Sequence, residues 1–308
     1  MTTKASRDDE LNTLIQYYDR GRTTHTNLDH ELEVKFGTKG QKISSIQFDN
    51  VYKKIISQGF EPLYTEHMLR IQNEYVDKKL GRTKISNVRC EINGLSNIQS
   101  YCKNDELKLN EMNVKFNQKS SVKNPSGNFV QSVEYTDFNF RVSYQYEKDF
   151  YSHSEVAKRI LSNWLDSKKT FRYINRVRLR HPDYPVFLDV SMIKGSPTKR
   201  SRDKDIPIPM YTVQEANVFH NNITYEVELE VDNSRVGPGT NYNNSTIVGD
   251  NCFLMAYSHV AHDCIIKNNV IIANGVAIAG HVEIDEHAII GGLSAIQQFS
   301  KIGKFSMV

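Results

Sequence analysis

The chain has 308 residues and a net charge of +3, and 39% of its residues are hydrophobic, as in a globular protein of two domains or one large one. No apolar run is long enough to span a bilayer, and the polar start of the chain does not resemble a signal peptide. The four cysteines form no CxxC pair, so we expect reduced thiols. These features predict no membrane partner and a cytoplasmic protein that is not secreted.

Two acidic strands stand out near the two ends of the first 240 residues. An apolar periodicity predicts a helix over residues 8–20, and the sequence Glu-Leu-Glu-Val-Lys follows at residues 31–35. Alternation along an extended strand places Glu31, Glu33 and Lys35 on one face. The pattern returns at residues 225–231, where one face carries Glu226, Glu228 and Glu230.

Carboxylates stacked this closely raise each other's pKa unless a cation lies between them. A hard divalent cation with oxygen ligands removes the conflict, so the two strands predict a metal site. The alternative is that both are ordinary amphipathic strands whose glutamates face solvent at an exposed edge. We favour the metal site because two such strands occur together with a third strand of opposite charge.

The segment between these strands predicts a sheet covered by helices. Helical spacing over residues 48–56 ends at Gly59, and a second apolar stripe predicts a helix over residues 154–168. Residues 137–150 alternate polar and apolar, which predicts a long strand with a polar face. A barrel with apolar residues outward, beneath helices, and polar residues inward would give this pattern in strand after strand.

A basic strand follows at residues 171–180. Its Arg176, Arg178 and Arg180 share a face, and residues 187–192 return as the predicted hairpin partner. Arginine binds phosphate oxygens in a fork geometry, and a metal can neutralise a terminal phosphoryl group and orient water. Carboxylates on one wall and arginines on another therefore suit a polyphosphate substrate.

The paired acidic strands, with residues 87–95 and 98–103, resemble the triphosphate tunnel metalloenzyme family, most closely the RNA 5′-triphosphatase domain of viral and fungal mRNA-capping enzymes. The resemblance covers about residues 25–235. It implies an eight-stranded antiparallel tunnel barrel with covering helices, and a metal-dependent hydrolase that removes the γ-phosphate from 5′-triphosphate RNA. The viral branch also implies a virion or a viral factory as alternatives to the cytoplasm. No KxDG-type nucleotidyl-lysine segment is present, so capping would need a separate guanylyltransferase.

The resemblance also implies the site residues. Mg²⁺ or Mn²⁺ would be held by Glu31, Glu33, Glu228 and Glu230, with Glu226 close behind. Phosphate ligands would be Lys35, Arg141, Arg176 and Arg178. Weaker substrate-binding candidates are Arg70, Arg89, Arg180 and Asp189, of which Asp189 would orient an arginine. Each basic residue could instead form a surface ion pair, and the substrate could be a nucleotide or inorganic triphosphate.

A different pattern occupies residues 245–308. An aliphatic residue recurs at every sixth position from Val248 to Val308, eleven times without a miss. A fixed short period predicts a solenoid, and hexads suit a left-handed parallel β-helix with the aliphatic residue in the axis. We therefore predict two domains, residues 1–240 and 245–308, with a boundary near Asn241–Ser245. Whether natural descent or chimera formation joined them stays open.

This hexapeptide-repeat fragment resembles the acyl-carrier-protein–UDP-N-acetylglucosamine O-acyltransferase of lipid A synthesis. The resemblance rests on residues 255–264, 273–282 and 290–295. It implies His262 as a general base oriented by Asp263, with His259 and His281 lining the cleft. Gln297 replaces a further cleft histidine and flanking coils are missing, so a vestigial, inactive site or a homotrimer-forming module are the competing interpretations.

Overall fold

The computed structural model describes residues 4–24, 29–37, 42–77, 81–201, 204–236 and 246–308. The chain divides into two compact units, Met1–Val231 (unit 1) and Asp232–Val308 (unit 2). The predicted boundary near Asn241–Ser245 lies outside the described residues.

The described residues of unit 1 form twelve strands and five α-helices. The helices are α1 (Lys4–Thr24), α2 (Ser45–Ser57), α3 (Leu95–Asn104), α4 (Glu155–Leu161) and α5 (Val213–Ala216). The strands are β1 (Asp29–Phe36), β2 (Glu61–Asp77), β3 (Arg82–Ile85), β4 (Val88–Asn93), β5 (Val114–Ser121), β6 (Val133–Tyr135), β7 (Phe140–Phe150), β8 (Lys169–Arg180), β9 (Val186–Gly195), β10 (Thr198–Ser201), β11 (Lys204–Pro207) and β12 (Thr224–Val231).

Eight of these strands close into an antiparallel barrel. Their order is β1-β12-β9-β8-β2-β4-β5-β7, and β7 pairs with β1 to close the ring. Closure leaves each strand with neighbours on both sides and divides its residues between an inner and an outer face. The predicted eight-stranded barrel is thereby confirmed.

The outer face of the barrel is apolar and packs beneath the helices. Tyr101 of α3 and Trp164 lie in one buried cluster, and Trp164 Nε1 donates to the Asp105 carbonyl at 2.9 Å. Leu14 and Tyr18 of α1 lie in a second cluster. A third cluster lies beneath α2, which begins with a capping box at Ser44. Burying the apolar outer face leaves the polar face for the lumen.

Two predicted elements are shorter than the sequence indicated. The helix predicted over residues 154–168 ends at Leu161, and Trp164 is buried from a turn instead. The strand predicted from residue 137 begins at Phe140, because Asn139 takes a left-handed conformation with φ of 55°. The apolar stripe continues past Leu161 because Trp164, in the turn, still faces the core. The alternation before Phe140 has no buried face, since Phe138 is 65% exposed.

Unit 2 is a parallel β-helix of two-residue strands. These are β13 (Ile247–Val248), β14 (Phe253–Leu254), β15 (His259–Val260), β16 (Ile265–Ile266), β17 (Ile271–Ile272), β18 (Ala277–Ile278), β19 (Glu283–Ile284), β20 (Ile289–Ile290), β21 (Ala295–Ile296) and β22 (Lys301–Ile302). They form three parallel sheets in which each residue pairs with one a coil away, as Ile266 does with Ile284. The hexad positions from Ile266 to Ile290 are fully buried, which confirms the predicted solenoid.

Within the described residues, no helix combines the length and apolar character needed to cross a membrane.

Candidate functional site in the barrel lumen

The lumen of the barrel is a cavity of about 400 Å³ lined almost entirely by charged residues. Among the described residues, nine carboxylates line it: Glu31, Glu33, Glu66, Glu91, Glu147, Asp189, Glu226, Glu228 and Glu230. Nine cationic side chains of the same described set also line it: Lys35, Arg70, Arg89, Lys115, Lys119, Arg141, Arg172, Arg176 and Arg178. The structure thus brings together every residue that the sequence placed in the triphosphatase site except Arg180, which lies at the exposed end of β8.

The two acidic strands are neighbours in the barrel. Glu33 of β1 lies opposite Glu230 of β12, and Lys35 lies opposite Glu228. Burial raises the pKa of Glu31 to about 8, Lys119 opposes this shift, and the nearby Glu33 adds to it. The protonated form of Glu31 is therefore favoured at neutral pH, although Lys119 lies beside it.

Lys119 is the cation that lies against β1. It extends from β5, beyond the intervening β7, and its Nζ lies 2.5 Å from Glu31 and 3.0 Å from Glu33. Ser143 Oγ donates to the other oxygen of Glu33 at 3.1 Å. Burial opposes the charged form of Lys119, but Glu33 and Glu31 outweigh it and raise the pKa of the ammonium group. Lys119 therefore stays positive and bridges the two glutamates.

Lys35 pairs with two glutamates of β12 in the same way. Its Nζ lies 2.6 Å from Glu228 and 2.9 Å from Glu226, and Arg172 also contacts Glu226. Burial would raise the pKa of Glu228, but Lys35 and then Arg176 hold that pKa at about 2. Glu228 is therefore ionised throughout the physiological range.

Asp189 holds the two central arginines of β8. Arg178 donates to both Asp189 oxygens at 2.7 Å, and Arg176 Nη1 lies 3.1 Å from Oδ2. Arg178 also reaches Glu230 at 2.7 Å, and Arg176 lies 3.7 Å from Glu228. The side chain of Asp189 is only 5% exposed, so this bidentate pair is shielded from water. The guanidinium groups are thereby fixed beside the acidic wall.

On the opposite side of the lumen, the two weaker arginine candidates are also paired. Arg70 Nε donates to Glu91 at 2.8 Å, and Arg89 lies 3.4 Å from Glu147. Burial and the neighbouring Arg70 lower the pKa of Arg89. These two arginines therefore form a second cationic region, more weakly compensated than the first.

Arg141 differs from the other cations of the lumen. It lies on β7 opposite Lys35 of β1, and within the described residues it makes no ion pair or side-chain hydrogen bond. Each of the other eight cations has a carboxylate within 4.0 Å, including Lys115, which pairs with Asp149. Arg141 is thus the lumen guanidinium whose donors remain available to a ligand.

The predicted metal ligands fit a hard divalent cation by their chemistry. Glu31, Glu33, Glu228 and Glu230 supply the oxygen donors that Mg²⁺ and Mn²⁺ prefer. Burial raises the pKa of Glu31 and Lys119 offsets this only in part, so a further cation nearby would favour the ionised carboxylate. In the described structure these oxygens turn toward lysines and arginines, and they do not form a group of three with all donor atoms within 4.8 Å. An ion would therefore have to displace Lys119.

Sequence reasoning missed several lumen residues. Lys115, Asn117 and Lys119 of β5 alternate with Phe116 in the sequence, and this period-two pattern was the available signal. Glu66 of β2 and Arg172 of β8 are in phase with lumen arginines on the same strands. These strands lack the paired glutamates of β1 and β12, so their alternation alone does not indicate a site.

In unit 2, the acyltransferase-like residues lie on the surface of the β-helix. His262 Nδ1 lies 2.8 Å from Asp263 Oδ2, and His281 Nε2 lies 3.8 Å from the same atom. His259 lies on β15, where it is exposed. The structure therefore groups three of the four predicted residues.

A family profile for the bacterial transferase hexapeptide (six repeats) matches residues 245–280. The acyl-[acyl-carrier-protein]–UDP-N-acetylglucosamine O-acyltransferase of Campylobacter lari is 53% identical over 107 residues, which cover 34% of this chain and 39% of that protein. The Helicobacter acinonychis enzyme of the same name is 66% identical over 74 residues, covering 24% of this chain and 27% of that protein. The chain thus spans well under half the length of the curated relatives it matches.

Solved structures show a likeness over most of the chain. An RNA triphosphatase domain of the trifunctional mimivirus mRNA capping enzyme aligns with 75% of this chain and 88% of that chain, with a TM-score of 0.45 and 12% identity. A second structure of the mimivirus capping enzyme triphosphatase gives 0.47 and 13%, over 75% and 89%. The S. pombe Pct1 RNA triphosphatase in complex with the Spt5 CTD gives 0.35 and 10%, over 72% and 80%. The resemblance of the C-terminal segment to the acyltransferase thus recurs in the family profile and in the curated relatives.

Proposed function

We propose that unit 1 is a metal-dependent RNA 5′-triphosphatase that removes the γ-phosphate from the 5′ end of nascent mRNA, the first step of capping. One observation carries the proposal: the carboxylates of β1 and β12 share a single lumen with the Asp189-anchored arginines of β8. Carboxylates suit a divalent ion and guanidinium groups suit phosphate oxygens, so this lumen can bind both.

Each group has a definable part in the reaction. Arg176 and Arg178, held by Asp189, bind and orient the triphosphate, and Arg141 offers free donors to the phosphoryl group that leaves. Mg²⁺ or Mn²⁺ held by the β1 and β12 glutamates would supply charge neutralisation and position the attacking water.

The two central β12 glutamates differ as proton acceptors. Glu228 is held ionised with a pKa of about 2, which makes it a weak base. Burial raises the pKa of Glu230, although Arg178 partly opposes the shift. Because a general base works best with a pKa nearer the operating pH, Glu230 is the better candidate to accept the water proton.

A direct assay tests this function. The purified full chain, with Mg²⁺ or Mn²⁺, should release phosphate from triphosphate-ended RNA and lose this activity with a chelator. We expect Glu33→Gln to lower the rate by about 100-fold or more, since it removes a charged metal ligand. Glu61→Gln is the matched control, because Glu61 is exposed outside the lumen. Equal rates for the two variants would falsify the proposal.

The same lumen could accept a nucleotide or inorganic triphosphate. Rates measured side by side on RNA, free nucleoside triphosphate and inorganic triphosphate decide between these substrates. A preference for RNA identifies the capping role and leaves guanylyl transfer to a separate guanylyltransferase partner.

For unit 2 we propose an assembly role, as a module that forms a homotrimer. Sedimentation of the full chain tests it, and a monomer at all concentrations would contradict it. Acyl transfer to UDP-N-acetylglucosamine is the second candidate, favoured by the 2.8 Å contact between His262 and Asp263. We expect no turnover with acyl-carrier protein, because unit 2 spans only part of the related enzymes.

A further inference from the structure

One corner of the β-helix forms a column of three residues, each a coil apart: Asp263, His281 and Phe299. Their φ angles are 58°, 59° and 64°, so the side chains project from equivalent left-handed corners. The ring of His281 stacks on Phe299 with centroids 4.8 Å apart and 11° between planes. The orientation of the His281 ring is therefore fixed by packing.

His262, next to the corner, is fixed by a different contact. A Cβ atom on Gly280 would lie 2.6 Å from its Cε1 and 2.8 Å from its Nε2, so the ring rests directly on the glycine backbone. The two imidazole rings meet edge to face, 5.0 Å apart at 87°. Both histidines thus converge on Asp263 in defined orientations.

The donor atoms have the spacing of a metal site. His262 Nδ1 and His281 Nε2 lie 2.8 Å and 3.8 Å from Asp263 Oδ2, and the three donor atoms lie within 4.8 Å of one another. Bonds of about 2.0–2.1 Å in a tetrahedral site place neighbouring donors about 3.3–3.4 Å apart, between the two observed distances. Within the described part of the chain, no other three histidine, cysteine or acidic side chains meet this spacing.

An independent observation concerns the second oxygen of Asp263. Its Oδ1 is buried and has no hydrogen-bond partner among the described residues, and the side chain is only 7% exposed. A buried carboxylate oxygen without a partner is costly and therefore indicates an additional ligand.

We propose that His262, Asp263 and His281 bind one divalent transition-metal ion of the zinc class. Two imidazole nitrogens and one carboxylate oxygen suit Zn²⁺, Co²⁺ or Ni²⁺ and disfavour Mg²⁺, which prefers oxygen donors alone. The side chain of His262 is 56% exposed, so the remaining coordination positions open to solvent. An ion bound through His262 takes the lone pair that a general base needs, so it would block acyl transfer there.

Calorimetric titration of the untagged full chain with Zn²⁺, in excess Mg²⁺ to saturate unit 1, tests the site. We expect one zinc ion per chain. The variants His281→Ala and Asp263→Asn should weaken binding at least about 10-fold to 100-fold. His287→Ala is the matched control, since His287 stacks on Phe305 in the same way, with centroids 4.9 Å apart, but lies outside the cluster. Wild-type affinity in His281→Ala, or an equal loss in His287→Ala, overturns the proposal.

A measurement on the unmodified chain covers the case in which a variant fails to fold. Paramagnetic Co²⁺ should broaden the imidazole NMR signals of His262 and His281 at one equivalent, while those of His287 and His153 stay sharp. Uniform broadening of all four histidines, or none, overturns the proposal.

Discussion

Unit 1 and unit 2 are both built from β-strands, but they place charge on opposite sides of those strands. Eighteen charged side chains of the described residues line the lumen of the barrel, and its apolar residues pack outward beneath helices. The β-helix fills its axis with aliphatic residues and keeps its histidines and acids on the outside. A barrel interior can hold charge because each carboxylate meets a cation, whereas a narrow coil has no room for such partners.

The largest effect is expected when a carboxylate is placed in the axis of the β-helix. Ile290→Asp should destabilise unit 2 by about 4 kcal/mol or more, because an unpaired charge replaces a fully buried side chain. Calorimetry should show the loss of one unfolding transition. Ile289→Asp, at the adjacent residue that is 36% exposed, is the control and should change little. Similar unfolding of both variants would show that the axis tolerates charge.

Removing one buried carboxylate from the barrel should lower the stability of unit 1 almost as much. Asp189→Ala leaves Arg176 and Arg178 without their shared partner and should cost about 3 kcal/mol of stability. Activity should fall as well, because the two guanidinium groups lose their fixed orientation. Asp149→Ala removes the half-exposed partner of Lys115 and serves as the control. Equal melting temperatures for the two variants would contradict the pairing argument.

A smaller change in stability is expected for Lys119→Met, and its dependence on Mn²⁺ tests the metal site. Lys119→Met leaves Glu31 and Glu33 without their bridging cation, so we expect metal-free protein to lose about 2 kcal/mol. Added Mn²⁺ should restore more stability in this variant than in the wild type, where the ammonium must be displaced. The control is Lys115→Met, whose side chain is 46% exposed. Thermal shifts with and without Mn²⁺ measure the difference, and identical metal-induced shifts would argue against a metal at β1.

The smallest effect is expected at Arg141, which has no charged partner among the described residues. Arg141→Ala should raise KM about tenfold, or about 1.4 kcal/mol, and leave the melting temperature unchanged, because no internal ion pair is lost. Arg180→Ala should change neither quantity, since Arg180 lies at the exposed end of β8. A drop in stability without a change in KM would assign Arg141 a structural role.

The sequence alone determined the faces of the strands in both units. A period of two fixes which residues share a face, so the lumen position of Glu31, Glu33 and the β12 glutamates followed from alternation. A period of six fixed the β-helix axis from Val248 onward in the same way. The limits of local pattern appear at Asn139 and Leu161, where turns interrupt periodicities that the sequence continues.

Only the tertiary structure decided which charges meet. Alternation does not tell which strands become neighbours or how far a long side chain reaches. The ion pair between Lys119 of β5 and Glu31 of β1, on the far side of β7, could therefore not be predicted from the sequence. The same holds for Arg141, which has no ion-pair partner in the described part of the chain, and for Arg180, which lies outside the lumen at the exposed end of its strand. Charge pairing depends on distances across a closed barrel, and a one-dimensional pattern contains no such distances.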